Sequence, residues 1–191
     1  MGNASKPITP TASEQIPRFP ASTITGQTQQ IVYNRVDTKV SYSAIVANIP
    51  GRVFGTEMSL LTTTITPRVP TSQFLIELNI SFEMQNDTVF RLLRSVPNTP
   101  DVLVGNNSTD SGRWSGWGIP GYDVDDSSTP RTNHYILVDT PLTLLPVTYR
   151  FLVSSSDANI RTLQMNRTTG NAGADSNEVG ISQVIISEFA V

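Results

Sequence analysis

The sequence predicts an all-β protein whose strands form an antiparallel sandwich or jelly roll. About eight to ten short runs of β-branched and aromatic residues alternate with turn signals, a spacing typical of such folds. No stretch shows the periodicity of an amphipathic helix. The composition agrees, because only 15% of the 191 residues are charged, well below the usual fraction of about a quarter. Ser, Thr and Asn fill the difference, as suits solvated strand faces and turns.

The first 28 residues differ from the rest, being rich in Pro, Ser, Thr and Gln. We expect an extended N-terminal arm at 1–28 followed by a single jelly-roll domain at 29–191. Such a segment cannot bury enough surface to fold alone, so it is either a disordered tail or an arm that orders against a partner. In a protein that joins an assembly the second interpretation gains weight. The candidate docking residues are Pro7, Pro10, Pro17, Phe19 and Pro20.

The first half of the domain contains the clearest strand. Strands are expected at Ile31–Val36, at Val40–Val46 and, rich in threonine, at Ser59–Thr66. After a corner bounded by Pro67 and Pro70, one face of the next run is apolar throughout, which predicts a half-buried strand. Its apolar residues are Phe74, Ile76, Leu78, Ile80, Phe82 and Met84. Proline restricts φ and lacks the N–H of a paired strand, and Thr71 and Ser72 can bond their own backbone. The corner therefore fixes the strand register, and nothing in it is reactive.

The second half predicts further strands around one long irregular segment. A strand at Thr88–Val96 leads into an elaborated loop at 97–133 with a short strand at Val102–Val104. Strands resume at His134–Asp139, Val147–Val153 and Ile160–Asn166. The final run carries apolar residues on both faces, which predicts cover on both sides, either by a loop or by neighbouring copies of the chain. One face holds Ile181, Ile185 and Phe189, and the other holds Val184 and Ile186.

Four segments, in order, resemble modules of a known family. They are GTEMSLLTTTITPRVPTSQFLIELNIS, VDTPLTLLPVTYRFLV, LQMNRTTG and VGISQVIISEF. The chain resembles the jelly-roll domain of bacteriophage tail-fibre and other virion proteins, which is TNF-like and assembles as a trimer. The resemblance covers about residues 30–190, while the loop at 97–133 follows no family pattern and no long shaft precedes the domain.

The resemblance implies a structural phage protein located in the virion. The leading hypothesis is a homotrimeric short tail fibre or tip that attaches to the host surface. Its arm would dock it onto other virion proteins, and Ile181, Ile185 and Phe189, or the opposite strand face, would lie near the trimer axis. The alternative is a capsid decoration protein, a head fibre or cement that stabilises the phage head. A glycan-degrading depolymerase is a third, less favoured hypothesis.

An aromatic cluster in the long loop is the best candidate for ligand binding. Trp114, Trp117, Tyr122 and Asp123 lie in a Gly-rich segment, and aromatic rings beside polar groups are suited to stacking on sugars. This pattern predicts contact with a host-surface glycan. The competing interpretation is that the tryptophans pack the loop onto the sandwich.

Chemistry-bearing residues are scarce, so we expect no enzyme, no metal and no cofactor. His134 is the only histidine and there is no cysteine. The acidic run at 123–126 lacks the ligand spacing of a calcium loop, which favours a solvated turn. The net charge of −3 argues against a nucleic-acid partner, and no apolar run is long enough for membrane insertion.

Overall fold

A computed structural model describes residues 27–46, 55–84, 88–105, 116–119, 130–155, 159–169 and 178–190. Within these ranges the chain forms twelve strands and one 3-10 turn, Ser59–Leu61, and no α-helix. The strands are β1 (Thr28–Val36), β2 (Val40–Val46), β3 (Thr56–Glu57), β4 (Thr63–Ile65), β5 (Gln73–Glu83), β6 (Thr88–Ser95), β7 (Val102–Val104), β8 (Trp117–Ile119), β9 (Arg131–Asp139), β10 (Val147–Ser155), β11 (Arg161–Met165) and β12 (Ser182–Phe189).

The strands form two sheets, and the chain passes from one sheet to the other several times. The first sheet has the order β1–β12–β5–β9. At one end of this sheet β11 takes the place of β12 beside β5, and β2 pairs with β11 in the place of β1. The second has the order β4–β10–β6–β7, and β3 and β8 extend its two edges. Pairing is antiparallel except for a short parallel contact between β2 and β10. Four strand positions per sheet with this order confirm the predicted antiparallel jelly-roll sandwich.

The core lies between the two sheets and contains the residues that period-two alternation predicts. On β5, Phe74, Ile76, Leu78 and Ile80 are fully buried. Val147, Tyr149, Phe151 and Val153 of β10 meet them from the second sheet, and Phe74 packs edge-on against Tyr149 with ring centroids 6.2 Å apart. A one-residue slip of either strand would turn these side chains towards solvent, so the apolar pattern fixes the register.

The strand expected at Ser59–Thr66 is wrong in its first half. Residues Ser59–Leu61 form a 3-10 turn in which the Leu61 N–H donates to the Met58 carbonyl at 2.9 Å. Only Thr63–Ile65 pair as a strand, against the start of β10. Met58 and Leu61 are both fully buried, and the turn lets these two residues, three apart, reach the same core. A strand could not bring both residues to the core, because residues three apart point to opposite faces of a strand.

The proline corner at 66–72 is held by Glu188 of β12. Its carboxylate accepts hydrogen bonds from the Arg68 N–H at 2.6 Å, from the Ser72 hydroxyl, and from the Gln30 side-chain amide at 2.6 Å. The Ser72 hydroxyl thus bonds this carboxylate instead of its own backbone. Burial acts to raise the pKa of Glu188, but these bonds and one from the Val69 N–H outweigh it and hold the pKa below its ordinary value. Glu188 thereby ties the corner to both β12 and the start of β1.

A second buried polar group, Asn166, holds the turn after β11. Its backbone adopts φ +59°, a conformation that asparagine tolerates better than most residues. Its amide donates to the carbonyls of Val36 and Thr38 at 2.9 and 3.1 Å, and its side-chain oxygen accepts from the Ser182 hydroxyl at 2.7 Å. Asn166 therefore links the connection between β1 and β2 to the start of β12.

Candidate functional site

The register places the start of β1, which the arm precedes, and Trp117 towards opposite ends of the sandwich. One row of paired residues across the first sheet is Gln30, Glu188, Phe74 and Asp139, at the end where the arm joins β1; we call this the arm end. The other end, which we call the distal end, contains the pairs Phe82–Arg131 and Thr88–Ile119. Phe74 and Phe82 are eight residues apart on β5, so the two rows are separated by about 27 Å.

Trp117 begins β8, towards the distal end, and packs partly against the core. Its ring lies 6.0 Å from that of Tyr135, which in turn lies 5.7 Å from Phe90. Burial raises the pKa of the Tyr135 hydroxyl, although a hydrogen bond from Asn133 at 2.9 Å acts in the opposite direction. The indole is half-buried, so one part of it is available to solvent and another anchors β8 to the sandwich.

The chain needs a glycine at the end of β7, beside Trp117. Gly105 has φ +68°, a conformation that side chains rarely adopt. A Cβ there would lie 2.7 Å from a methyl group of Leu137 and 3.2 Å from the Trp117 ring. Gly105, at the end of β7, therefore lies in close contact with the indole.

Other predicted site residues lie outside the described residues. These are Trp114, Tyr122 and Asp123 of the loop, and Pro7, Pro10, Pro17, Phe19 and Pro20 of the arm. Their roles remain predictions. The structure brings only Trp117 of the four aromatic-loop candidates to a defined position.

The predicted assembly residues share one face of β12, the outer face of the first sheet. Val184 and Ile186 point into the core and are fully buried, whereas Ile185 and Phe189 are half-buried and Ile181 is 47% exposed. Neighbouring strands add four more exposed apolar side chains to this face: Ile31, Tyr33, Ile136 and Val138. These four were not predicted from the sequence, although Ile31 and Tyr33, like Ile136 and Val138, alternate with residues that point inward.

Strand register places these side chains in continuous rows. One row is Tyr33, Ile185, Glu77 and Ile136, and the adjacent row is Ile31, Ser187, Leu75 and Val138. Scattered exposed hydrophobic residues are normal on a protein surface, but here apolar side chains of β1, β12 and β9 share two adjacent rows, broken by Glu77 in the first row and by Ser187 in the second, and together they form a patch. A patch of this kind is typical of a surface that contacts another protein.

A polar depression interrupts the outer face towards the distal end. It has a volume of about 330 Å³ and is lined by Glu77, Asn79, His134, Gln183 and Ile185. The His134 Nε2 lies 3.3 Å from the Glu77 carboxylate, and the Tyr33 hydroxyl donates to Gln183 at 3.1 Å. The Asn79 side-chain oxygen is buried and accepts no hydrogen bond within the described part of the chain. Polar groups that converge beside an apolar patch add orientation to any contact made there.

No metal centre emerges from the residues that the structure describes. In those ranges no three His, Asp or Glu side chains are grouped closely enough to hold an ion, and the acidic run at 123–126 lies outside them. Over the same residues, no helix has the length and apolar character needed to cross a membrane.

Comparisons with known proteins give only distant structural similarity. No family model matches the chain, and no curated protein matches it. Solved structures with distant similarity include one of infectious bursal disease virus, Gx strain, at 10% identity and a TM-score of 0.36, covering 84% of this chain and 41% of that one. Another is the VP2 subviral particle of the same virus, at 10% identity and a TM-score of 0.35, covering 85% and 42%. This chain thus spans about two fifths of the chains it matches, and similarity at this level carries no conclusion about what it binds.

Proposed function

We propose that the protein is a homotrimeric structural protein of a phage particle that mediates attachment to the host surface. The observation that supports this proposal is that the start of β1, which follows the arm, and Trp117 lie towards opposite ends of the sandwich. A protein docked through its arm presents the distal end outward, about 27 Å farther from the particle along the strands. The resemblance of the sequence to phage virion proteins supports a location in the particle, and the strand geometry supports an outward orientation of the distal end.

The outer face of the first sheet is the proposed trimer contact. It carries the predicted residues Ile181, Ile185 and Phe189 together with the exposed apolar residues of β1 and β9. Burying these side chains against a second copy removes apolar surface from water, worth about 25 cal/mol for each Å². The depression around Asn79 supplies polar groups that orient the copies.

Replacing Ile185 by lysine should convert the trimer to a monomer. Lysine at this position lies opposite Glu77 on the neighbouring strand, so we expect the isolated domain to keep its fold. The added charge would then lie within the proposed contact between copies. We expect light scattering on a sizing column to give three times the chain mass for the unmodified protein and the single-chain mass for Ile185→Lys. The control is Leu144→Lys, which alters a 55% exposed residue of the β9–β10 loop. A monomeric unmodified protein, or a trimeric Ile185→Lys, would contradict the proposed contact.

Attachment should depend on the aromatic loop that contains Trp117. We expect Trp114→Ala and Tyr122→Ala to reduce adsorption of particles to host cells at least several-fold, because a ligand ring stacked on an aromatic side chain contributes on the order of 1 kcal/mol. Trp117→Ala is a poorer probe because this side chain also packs against Tyr135. The measurement is the rate of adsorption by particles that carry equal amounts of the protein. Normal adsorption, combined with heads that lose their genome on heating when the protein is absent, would favour capsid decoration instead.

A further inference from the structure

An apolar groove lies at the arm end, between the β6–β7 turn and the β9–β10 loop. We call it the leucine groove. Its volume is about 380 Å³, and Arg94, Val96, Thr99, Pro100, Val102, Pro141, Leu142, Thr143 and Leu145 line it. The side chains of Leu142, Leu145 and Val102 are 70%, 47% and 42% exposed. Three large apolar side chains around one concavity are an unfavourable arrangement in water, and covering them gains free energy.

The leucine groove has a rigid base. Arg94 donates to the Asp139 carboxylate at 2.7 Å, and the other oxygen of Asp139 accepts from the Tyr149 hydroxyl at 2.7 Å. Burial and the neighbouring Asp139 carboxylate raise the pKa of Tyr149, so its hydroxyl stays protonated and keeps donating. Leu142 has φ +53°, in the left-handed region that costs a residue other than glycine on the order of 1 kcal/mol. This backbone conformation turns an apolar side chain towards solvent at the groove.

The arm begins within reach of the leucine groove. Gln30, at the start of β1, and Asp139, at the end of β9, belong to the same row across the first sheet. Three strand spacings separate them, or about 14 Å. Pro20 precedes Gln27 by seven residues, which cover about 22 Å in the polyproline conformation. A segment that ends at Pro20 can therefore cross the arm end of the sandwich and arrive at Asp139 and Arg94.

We propose that residues 16–20 of the arm, Ile-Pro-Arg-Phe-Pro, occupy the leucine groove of their own chain. The segment contains Phe19, the only aromatic residue in the first 26. Pro17 and Pro20 have no N–H, so they enter a groove with few polar partners without leaving a donor unsatisfied. The occupant covers Leu142, Leu145 and Val102. On this proposal Pro17, Phe19 and Pro20 bind their own domain, which leaves Pro7 and Pro10 of the candidate docking residues for other virion proteins, and the contact depends neither on the trimer nor on attachment.

The absence of cysteine allows a direct test by cross-linking. Two variants are made, Phe19→Cys/Leu145→Cys and Phe19→Cys/Ile160→Cys, and both are treated with a short bismaleimide. Ile160 is 62% exposed and precedes β11, whose start pairs with the end of β2 away from the arm end. We expect the first variant to form the intrachain cross-link roughly tenfold faster than the second, because a docked segment has a far higher effective concentration at its site. Mass spectrometry of the digested protein identifies the linked peptides.

Hydrogen exchange gives an independent measure that needs no cysteine. Phe19→Ser should increase exchange of the amides at 140–146 several-fold, while Ile8→Ser, a matched apolar change earlier in the arm, should leave it unchanged. Equal cross-linking at the two positions, or equal exchange in the two serine variants, would overturn the proposal. Covalent dimers from the Leu145 variant would overturn the own-chain assignment, since the occupant would then be a neighbour's arm.

Discussion

Replacing Glu188 by glutamine should lower the free energy of unfolding by about 2–3 kcal/mol, because hydrogen bonds to a buried charged acceptor contribute more than neutral ones. The carboxylate receives bonds from the Arg68 N–H, the Ser72 hydroxyl and the Gln30 amide. Glutamine offers one acceptor oxygen and two donors of its own, so an NH₂ group replaces the oxygen that accepts from Gln30, and the bonds from Arg68 and Ser72 lose their charged acceptor. Urea denaturation followed by circular dichroism measures the loss. Asp37→Asn, which alters an exposed pair with Arg35, is the control and should change stability by less than about 1 kcal/mol.

The same carboxylate should make part of the stability depend on pH. The pKa of Glu188 lies below its ordinary value of 4.5 in the folded protein. A depressed pKa means that the unfolded chain binds a proton more readily, so the stabilisation is complete above about pH 4.5 and is lost as the pH falls through the folded pKa. The stability difference between the unmodified protein and Glu188→Gln should therefore shrink below that pH. A difference that stays constant down to the acid transition would show that the charge contributes nothing.

Replacing Phe90 by alanine should cost about 3–5 kcal/mol, the usual range for deleting a fully buried aromatic ring. Phe90 is completely buried and sits between Phe82, at a centroid distance of 5.2 Å, and Tyr135, at 5.7 Å. The cavity removes support from Tyr135 and, through it, from Trp117. We therefore expect the distal end to loosen as well as the whole domain to lose stability.

Two readouts separate these effects. Urea denaturation gives the global loss, and Val179→Ala, which truncates a 57% exposed residue, should stay within about 0.5 kcal/mol. A Trp114→Phe background leaves Trp117 as the sole tryptophan, and its emission should shift to longer wavelength in Phe90→Ala before any unfolding. Unchanged emission with a full loss of stability would mean that Trp117 is anchored without Phe90.

The strands were predictable where one face of the chain meets the core. On β5 and β10 the apolar residues recur at every second position, and a period of two has only one structural explanation. The turn at Ser59–Leu61 was not predictable, because Met58 and Leu61 are too few to establish a period. Length and turn signals also located β7, at Val102–Val104, within the irregular segment.

The arrangement of the surfaces was only partly predictable. The apolar second face of β12 was visible in Ile181, Ile185 and Phe189, but the exposed residues of β1 and β9 join them only through pairing between strands far apart in sequence. The role of Glu188 depends on a corner 116 residues away. Both Glu188 and the corner lie in segments that resemble family modules, but nothing in the sequence near either one indicates that they contact each other.

The pairing of β1 with β12 has a mechanical consequence. The arm continues directly into β1, which is hydrogen-bonded to β12 from Thr28 to Val36. A pull through the arm acts along the strand axis, so it loads these hydrogen bonds together in shear and does not peel them apart one by one. Rupture then requires many bonds to fail at once, and its rate follows the unfolding barrier rather than the equilibrium stability. A tether built this way resists sudden tension better than its modest size suggests.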